Sequence, residues 1–300
     1  MANIESIGAP VPARRGGSAR AAQRAAARVV FLVLLLVLMA AMIVPFFWMF
    51  SVSVGRPSQV FVVPPRWIPS TVQFGAYKRV LLELPFLKWF LNSFKIASLV
   101  TIGQLFTCAT AAYAFARLRF PGRNVLFLVL LSALMIPVQV TIIPIFVIMR
   151  VLNLLDNHLS LILPPLVSAF GVFLLRQFFL TIPTELEDAA RIDGAGPLLT
   201  FARIILPLSG GALATLAVLT YNFFWNDYFS PLIFINSPGR MTLPLGIGIM
   251  AGRYVEAGGM GADAPGIVAA VAMSILPVLL VFLFAQRYLI ESITMTGLKT

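Results

Sequence analysis

The chain has 300 residues, 60% of them hydrophobic and only 11% charged, with a mean hydropathy of +0.95. A soluble domain of this size carries roughly 25% charged residues, so the composition excludes a globular enzyme in water and fits a lipid bilayer. The net charge is +11, but the positive residues sit in tails and short connectors between apolar runs. That arrangement orients membrane proteins and does not point to nucleic acid.

In chain order, residues 1–28 form a basic tail carrying Arg14, Arg15, Arg20, Arg24 and Arg28. The apolar run from Val29 to Phe50 is longer than the roughly 7–15 residues of a signal-peptide core, and no small-x-small cleavage site follows it. It is therefore read as the first of six membrane spans, since about 20 apolar residues cross the hydrocarbon core. Residues 51–91 hold Pro57, Pro64, Pro65 and Pro69, which argue against a span there. Trp67, Tyr77 and Trp89 suit the membrane–water interface.

The second span, 92–116, is rich in Ala, Ser, Thr and Gly and should pack closely against its neighbours. The third, 125–149, contains Pro137 and Pro144, each of which removes a helix hydrogen bond. The fourth covers 159–180, and the fifth is assigned to 209–235. Residues 237–266, rich in glycine, read as a long outward loop. The sixth span covers 267–288. Together the spans make an all-α transmembrane domain over 29–290, followed by a short tail at 291–300. Six spans place both termini on one side. The arginines of the tail and Arg117, Arg119 and Arg123 of the 2–3 connector make that side cytoplasmic.

Chemistry-bearing motifs are scarce. Cys108 lies alone in an apolar run and His158 alone in a polar connector. Neither has partners for a disulfide, a metal site or a catalytic pair. No phosphate-binding G-x-x-x-x-G-K-[ST] loop and no H-E-x-x-H motif occur. No catalytic, cofactor-binding or metal-binding residue is assigned.

An intramembrane enzyme would need paired carboxylates or a Ser/His pair within the spans, and the membrane region offers only Asp227. A channel is a further alternative. Gln139, Asn222, Asn226 and Asp227 are the candidate pathway or gate residues, because polar groups at membrane depth often mark a route. Interhelical hydrogen bonding competes with that reading, and Gln104 and Thr141 share the ambiguity.

The most informative segment is "PTELEDAARIDGAGPLLTFARIILPL", 183–208, a charged stretch between two apolar runs. Thr184 and Glu187 have the spacing of a capping box. A two-turn helix follows, with Leu186, Ala189, Ala190 and Asp193 on one narrow face. Gly194 is suited to a left-handed helix end. Pro197 suits the first turn of a second helix, which ends near Pro207. A two-turn helix is marginal alone in water and needs a docking surface. A helix lying on headgroups would be basic and bulky, whereas this one is acidic and alanine-rich.

The pattern Asp188-Ala189-Ala190, Gly194, Ile204, Leu206-Pro207 resembles the EAA motif of ABC importer permeases. The phrases "RLRFPGRN", "ILPPLVSAFGVFLLRQFF", "WNDYFSPLIF", "TLPLGI" and "QRYLIESITMTGLK" resemble the carbohydrate branch, of the maltose and glycerol-phosphate importer type. The resemblance runs from about Arg117 to the C-terminus.

The resemblance implies a type I importer permease in a bacterial or archaeal cytoplasmic membrane, translocating a carbohydrate or polyol. Amino acids or peptides are the alternative solutes. It implies as partners a second homologous permease, an ATP-binding cassette ATPase dimer that carries ATP and Mg, and an external substrate-binding protein. It makes the 183–208 segment a coupling helix seated in a cleft of the ATPase. Asp188, Ala189, Ala190 and Gly194 are then the motif residues, with Glu187 and Asp193 beside them. Asp188 departs from the family's usual Glu, keeping the charge but shortening its reach.

Overall fold

A computed structural model describes residues 17–56, 67–256 and 264–297. Most of the basic tail, Pro57, Pro64, Pro65, Gly258 and the final three residues lie outside the described residues. The protein is all-helical there. Four helices are long and apolar enough to cross a membrane, or six if each of two bent pairs counts as one span.

The segment to Ser51 and the segment from Val52 are separate compact units. Helix α1 (Gly17–Ser53) makes up the described part of the first. From Val29 to Phe50 it is apolar on every face, the pattern of a helix with hydrocarbon on all sides.

The second unit opens with α2 (Gly75–Leu82) and α3 (Phe86–Arg117). Helix α3 is its mast. Small residues along it (Ala97, Cys108, Ala109 and Ala112) are at most 2% exposed and let other backbones approach closely. A broken pair follows, α4 (Arg123–Ser132) and α5 (Val138–Val151), bent by 102°. Pro137 sits at the break with an extended backbone (ψ 138°). The bend is far sharper than a proline kink within a continuous helix.

Next come α6 (Leu159–Ile162) and α7 (Ala169–Thr181), then α8 (Glu185–Ile192), α9 (Pro197–Thr200) and α10 (Leu206–Leu208). Residues Phe201–Ile205 form a π-helical turn between the last two. Pro207 has no N–H to donate to the preceding turn, which loosens the helical register there. The chain then turns by 76° at Ser209 into α11 (Gly210–Trp225).

The predicted fifth span, 209–235, ends as a helix at Trp225. Asn226 and Asp227 interrupt it, and a short α12 (Phe229–Phe234) follows. The predicted long loop contains a helix instead, α13 (Leu243–Glu256), with Leu243, Leu245 and Ile247 buried. Its glycines are contact points: a Cβ on Gly246 would lie 2.3 Å from the Trp89 ring, and one on Gly248 would lie 2.4 Å from Tyr228. The last helix, α14 (Ala264–Gly297), contains Pro277.

Three hydrophobic clusters surround α3. One joins Cys108 and Ala112 to Leu175 and Phe179 of α7 and Leu216 of α11. A second joins Phe86 and Trp89 to Tyr221, Trp225 and Leu243. The third joins Ile96 and Val100 to Ile142, Leu161 and Phe234. Trp89, expected as an interface residue, is a core pillar, and so is Trp225. Their indole N–H groups donate to Pro238 O at 2.9 Å and Ser274 O at 3.1 Å.

Hydrogen bonds tie the connectors at the Phe86 end of α3. Asn92 Nδ2 donates to Met241 O at 2.9 Å, and Leu243 N donates to Ser93 Oγ at 2.8 Å. Asp156, in the left-handed region at φ 53°, accepts from Asn236 N and Ser237 N at 3.0 and 2.9 Å. The Ser237 hydroxyl and amide hold the Asp156 carboxyl below the usual carboxylate range. His158, alone in its polar connector, is bonded through Nε2 to Arg240 O at 2.8 Å.

Gly246→Ala tests this packing. Trp89 cannot retreat without losing its bond to Pro238, so the substitution should destabilise the protein by about 1–3 kcal/mol. A lower thermal unfolding midpoint in detergent would register it. An unchanged midpoint would mean that Trp89 is free to move.

Candidate functional site

The 183–208 segment folds as α8, then α9, a π-helical turn and α10, and neighbouring side chains of α8 have opposite roles. Helix α8 ends on Gly194, at φ 82°. Gly194 N donates to Arg191 O at 3.0 Å and Ala195 N to Ala190 O at 2.8 Å, the paired bonds of a Schellman ending. Pro197 then starts α9.

The start of α8 differs from expectation. Thr184 has helical backbone angles, φ −71° and ψ −22°, and its hydroxyl makes no capping bond. Glu187 does not turn back to complete a capping box but points inward. Glu187 and Ala190, three residues apart, are the buried stripe of α8.

Glu187 meets Arg117, from the last turn of α3. Arg117 Nε lies 2.8 Å from Glu187 Oε1, and the two side chains are 8% and 5% exposed. The Nε–H is not aimed along that line, so the contact is an ion pair and not an aligned hydrogen bond. The fork of the guanidinium is used elsewhere. Its Nη2 donates to Phe179 O at 2.6 Å and to Ile182 O at 2.5 Å. These carbonyls belong to the C-terminal end of α7, where the last turn leaves acceptors unsatisfied and the helix dipole favours a cation. One buried cation thus joins the ends of α3, α7 and α8.

The opposite face of α8 is open. Among the described residues Asp188 pairs only with Arg191 of its own helix, at 3.2 Å, and both side chains are more than 60% exposed. Leu186, Ala189 and Asp193 lie on the same open face, whereas Ala190, expected beside them, is buried. Ile192 and Leu198 are 87% and 83% exposed. An acidic ridge with bare apolar side chains suits a protein partner better than water.

The predicted pathway residues do not form one group. Asn222 lines an open cavity of about 600 Å³ together with Gln104, Ser168, Thr220 and Phe223. Gln104 is bound on both sides of its amide: Nε2 donates to Pro165 O at 2.6 Å, and Oε1 accepts from Thr220 Oγ1 at 3.0 Å. Asn226 bonds back to Asn222 O at 2.8 Å. Asp227 Oδ1 accepts from Ser230 N at 3.2 Å, at the start of α12. Gln139 is exposed beside the break before α5. Among the described residues, neither Gln139 nor Asp227 lines that cavity. Thr141 bonds within its own turn, to Val138 O. No group of His, Cys, Asp and Glu able to hold a metal occurs among the described residues.

Arg117 is the residue whose role sequence reading missed. The sequence marks it as an orienting charge and as the start of the phrase "RLRFPGRN", and as nothing more. The available signal was its place at the end of a span made of small residues, where a long side chain reaches neighbouring helix ends.

A helical membrane domain of broken spans, with a short charged helix, α8, between two of them, is the build of a transport permease. The chain belongs to the family described as binding-protein-dependent transport system inner membrane component, which it matches over residues 106–294. It is therefore a transport subunit and not an enzyme. It is 35% identical to the sn-glycerol-3-phosphate transport system permease protein UgpE of Pectobacterium atrosepticum, over 84% of this chain and 91% of that one. It is also 35% identical to the arabinooligosaccharides transport system permease protein AraQ of Halalkalibacterium halodurans, over 77% and 81% of the two chains. Among solved structures it is similar to a bacterial ABC transporter involved in the import of the acidic polysaccharide alginate. The TM-score is 0.78 at 26% identity, covering 94% of this chain and all of that one.

Gly194→Val should strain the turn by about 1–2 kcal/mol. No neighbouring atom lies within 4 Å of the added Cβ, so the effect is conformational and not a clash. Added protease should cut the 193–197 segment faster in this variant. Gly194→Asn, which tolerates left-handed backbone, should recover most of the resistance. Equal cleavage of Gly194→Val and the parent would contradict the assignment.

Proposed function

We propose that this chain is one of two permease subunits of an importer for a carbohydrate or polyol. The other subunit is a homologous permease. An ATPase dimer bearing ATP and Mg drives the cycle, and an external binding protein delivers the solute. The names of the similar proteins support this solute class: arabinooligosaccharides, glycerol phosphate and alginate are all hydroxyl-rich.

The observation that carries the coupling assignment is the split of α8 into two faces. Glu187 and Ala190 root it in the membrane domain, while Asp188, Ala189, Ile192 and Asp193 stand free. The free face docks in the ATPase cleft. Gly194 serves by ending the helix and not by contact. Asn222 is the pathway residue favoured by position, because it alone of the four predicted candidates borders the cavity. Asn226 and Asp227 act locally, closing α11 and opening α12.

Both termini and the 183–208 segment lie in the cytoplasm. The basic residues around 14–28 and 117–123 support this orientation. A periplasm-active reporter placed after Gly258 should be active, and one placed after Thr300 silent. The reverse pattern would overturn the orientation.

Asp188→Arg tests the docking face. The residue lies outside every span and its own carboxylate is exposed, so the variant should insert normally. Reversing the charge should weaken ATPase association by tenfold or more, about 1.4 kcal/mol per tenfold, and solute uptake should fall with it. Parental uptake with the ATPase still bound would contradict the assignment. Uptake by vesicles holding the complete assembly, across a panel of labelled sugars, polyols, amino acids and peptides, tests the solute class.

A further inference from the structure

Resting on the reading of α8 as the ATPase-coupling helix, we propose that Arg117 is a positioning residue that makes α3, α7 and α8 one rigid arm. Bending during the transport cycle is then confined to the far side of α8, between Asp193 and Gly210.

The argument starts from the cost of the arrangement. Two charges with almost no exposure lose their hydration, and a well-packed apolar pair is often as stable or more so. Stability alone therefore gives no reason for Arg117 and Glu187. What the pair adds is direction. The guanidinium is a flat, rigid fork, and here it holds acceptors on three sides: the last turn of α7 at Phe179 O, the joint after α7 at Ile182 O, and α8 itself at Glu187. A helix of eight residues cannot hold its own orientation. Glu187 ties α8 to the buried guanidinium, which in turn holds the end of α7 and the joint that leads into α8. The connector between α7 and α8 is also anchored, with Ile182 at 7% exposure in the same cluster as Phe179.

The other side of α8 is also packed, with Ile205 fully buried in that same cluster, but its backbone is irregular where the near side is regular. It leaves through Gly194 in the left-handed region. It then passes a four-residue helix, a π-helical turn with Pro207 just beyond it, and a 76° turn at Ser209. Each is a place where the regular helix hydrogen bonding is interrupted. A pull on the free face of α8 is thus delivered undiminished to α3 and α7. The α9–α10 segment yields and lets α11 take a different angle.

The test uses the complete transporter in proteoliposomes, with partner permease, ATPase and binding protein, comparing Glu187→Gln, Arg117→Lys and the parent. Both variants should reach the membrane and co-purify with the ATPase, because the free face of α8 is untouched. Solute moved per ATP hydrolysed should fall about fivefold or more in each, the lower end of usual coupling between sites. A residue needed only for folding would lower the amount of transporter without changing that ratio.

A parental ratio in Glu187→Gln overturns the proposal. So does loss of both variants from the membrane, which would make the pair a folding contact. Release of the ATPase by Glu187→Gln, but not by Arg117→Lys, would overturn it by making Glu187 a docking residue. A parental assembly that neither hydrolyses ATP nor moves solute would instead bring down the functional reading, and this inference with it.

Discussion

The ion pair between Arg117 and Glu187 is the contact on which the working end of this protein depends. Without it, α8 would be an acidic two-turn helix tethered at both ends and held on its buried side by Ala190 alone. With it, α8 belongs to the membrane domain on one face and is free on the other. The magnitudes explain why Glu187 makes this choice. A capping-box bond at an exposed helix start contributes typically about 1 kcal/mol. Leaving a buried arginine without its counter-charge costs about 3–5 kcal/mol. The tertiary partner therefore wins, and Thr184 is left without its predicted reciprocal bond.

The rest of the domain serves to hold Arg117 in place. Helix α3 carries it at one end and is packed along its whole length by three clusters. At the other end, Trp89, Asn92 and Ser93 clasp the 238–243 segment through backbone groups. In hydrocarbon a free backbone group finds no water, so each break in a span must be satisfied by protein. Ser209 does this at one bend, with its hydroxyl donating to Ile205 O at 2.6 Å. An unbroken α3, packed along its length on one side, is a rigid element next to two broken, deformable spans.

Much of this was legible in the sequence, and the exceptions have physical reasons. The apolar runs and the small residues of α3 mark the helices plainly, because lipid permits little else. The α8 turn was readable through Gly194, since few other residues accept φ 82°. The family resemblance was visible in the order of short phrases. Helix α13 was not visible. Its glycines suggested a loop, yet Gly246 and Gly248 are there to admit the rings of Trp89 and Tyr228. Glycine as a packing device and glycine as a turn look identical in one dimension. The end of α11 at Trp225 was blurred for a similar reason: the apolar run resumes in α12 after a two-residue polar break. The partner of Glu187 lies 70 positions away, and no local pattern points to it.

The central claim is that α8 moves as one body with α3. Spin labels at Glu185, at the start of α8 and not among the docking residues, and at Phe106 can test it directly by pulsed dipolar spectroscopy on the assembled transporter. Both side chains are well exposed, and Cys108 is fully buried and will not compete for the label. The account predicts the same distance distribution before and after ATP is added, even though the transporter changes state. A shift of the mean between the two conditions would show that α8 swings relative to α3, and the rigid-arm account would be wrong.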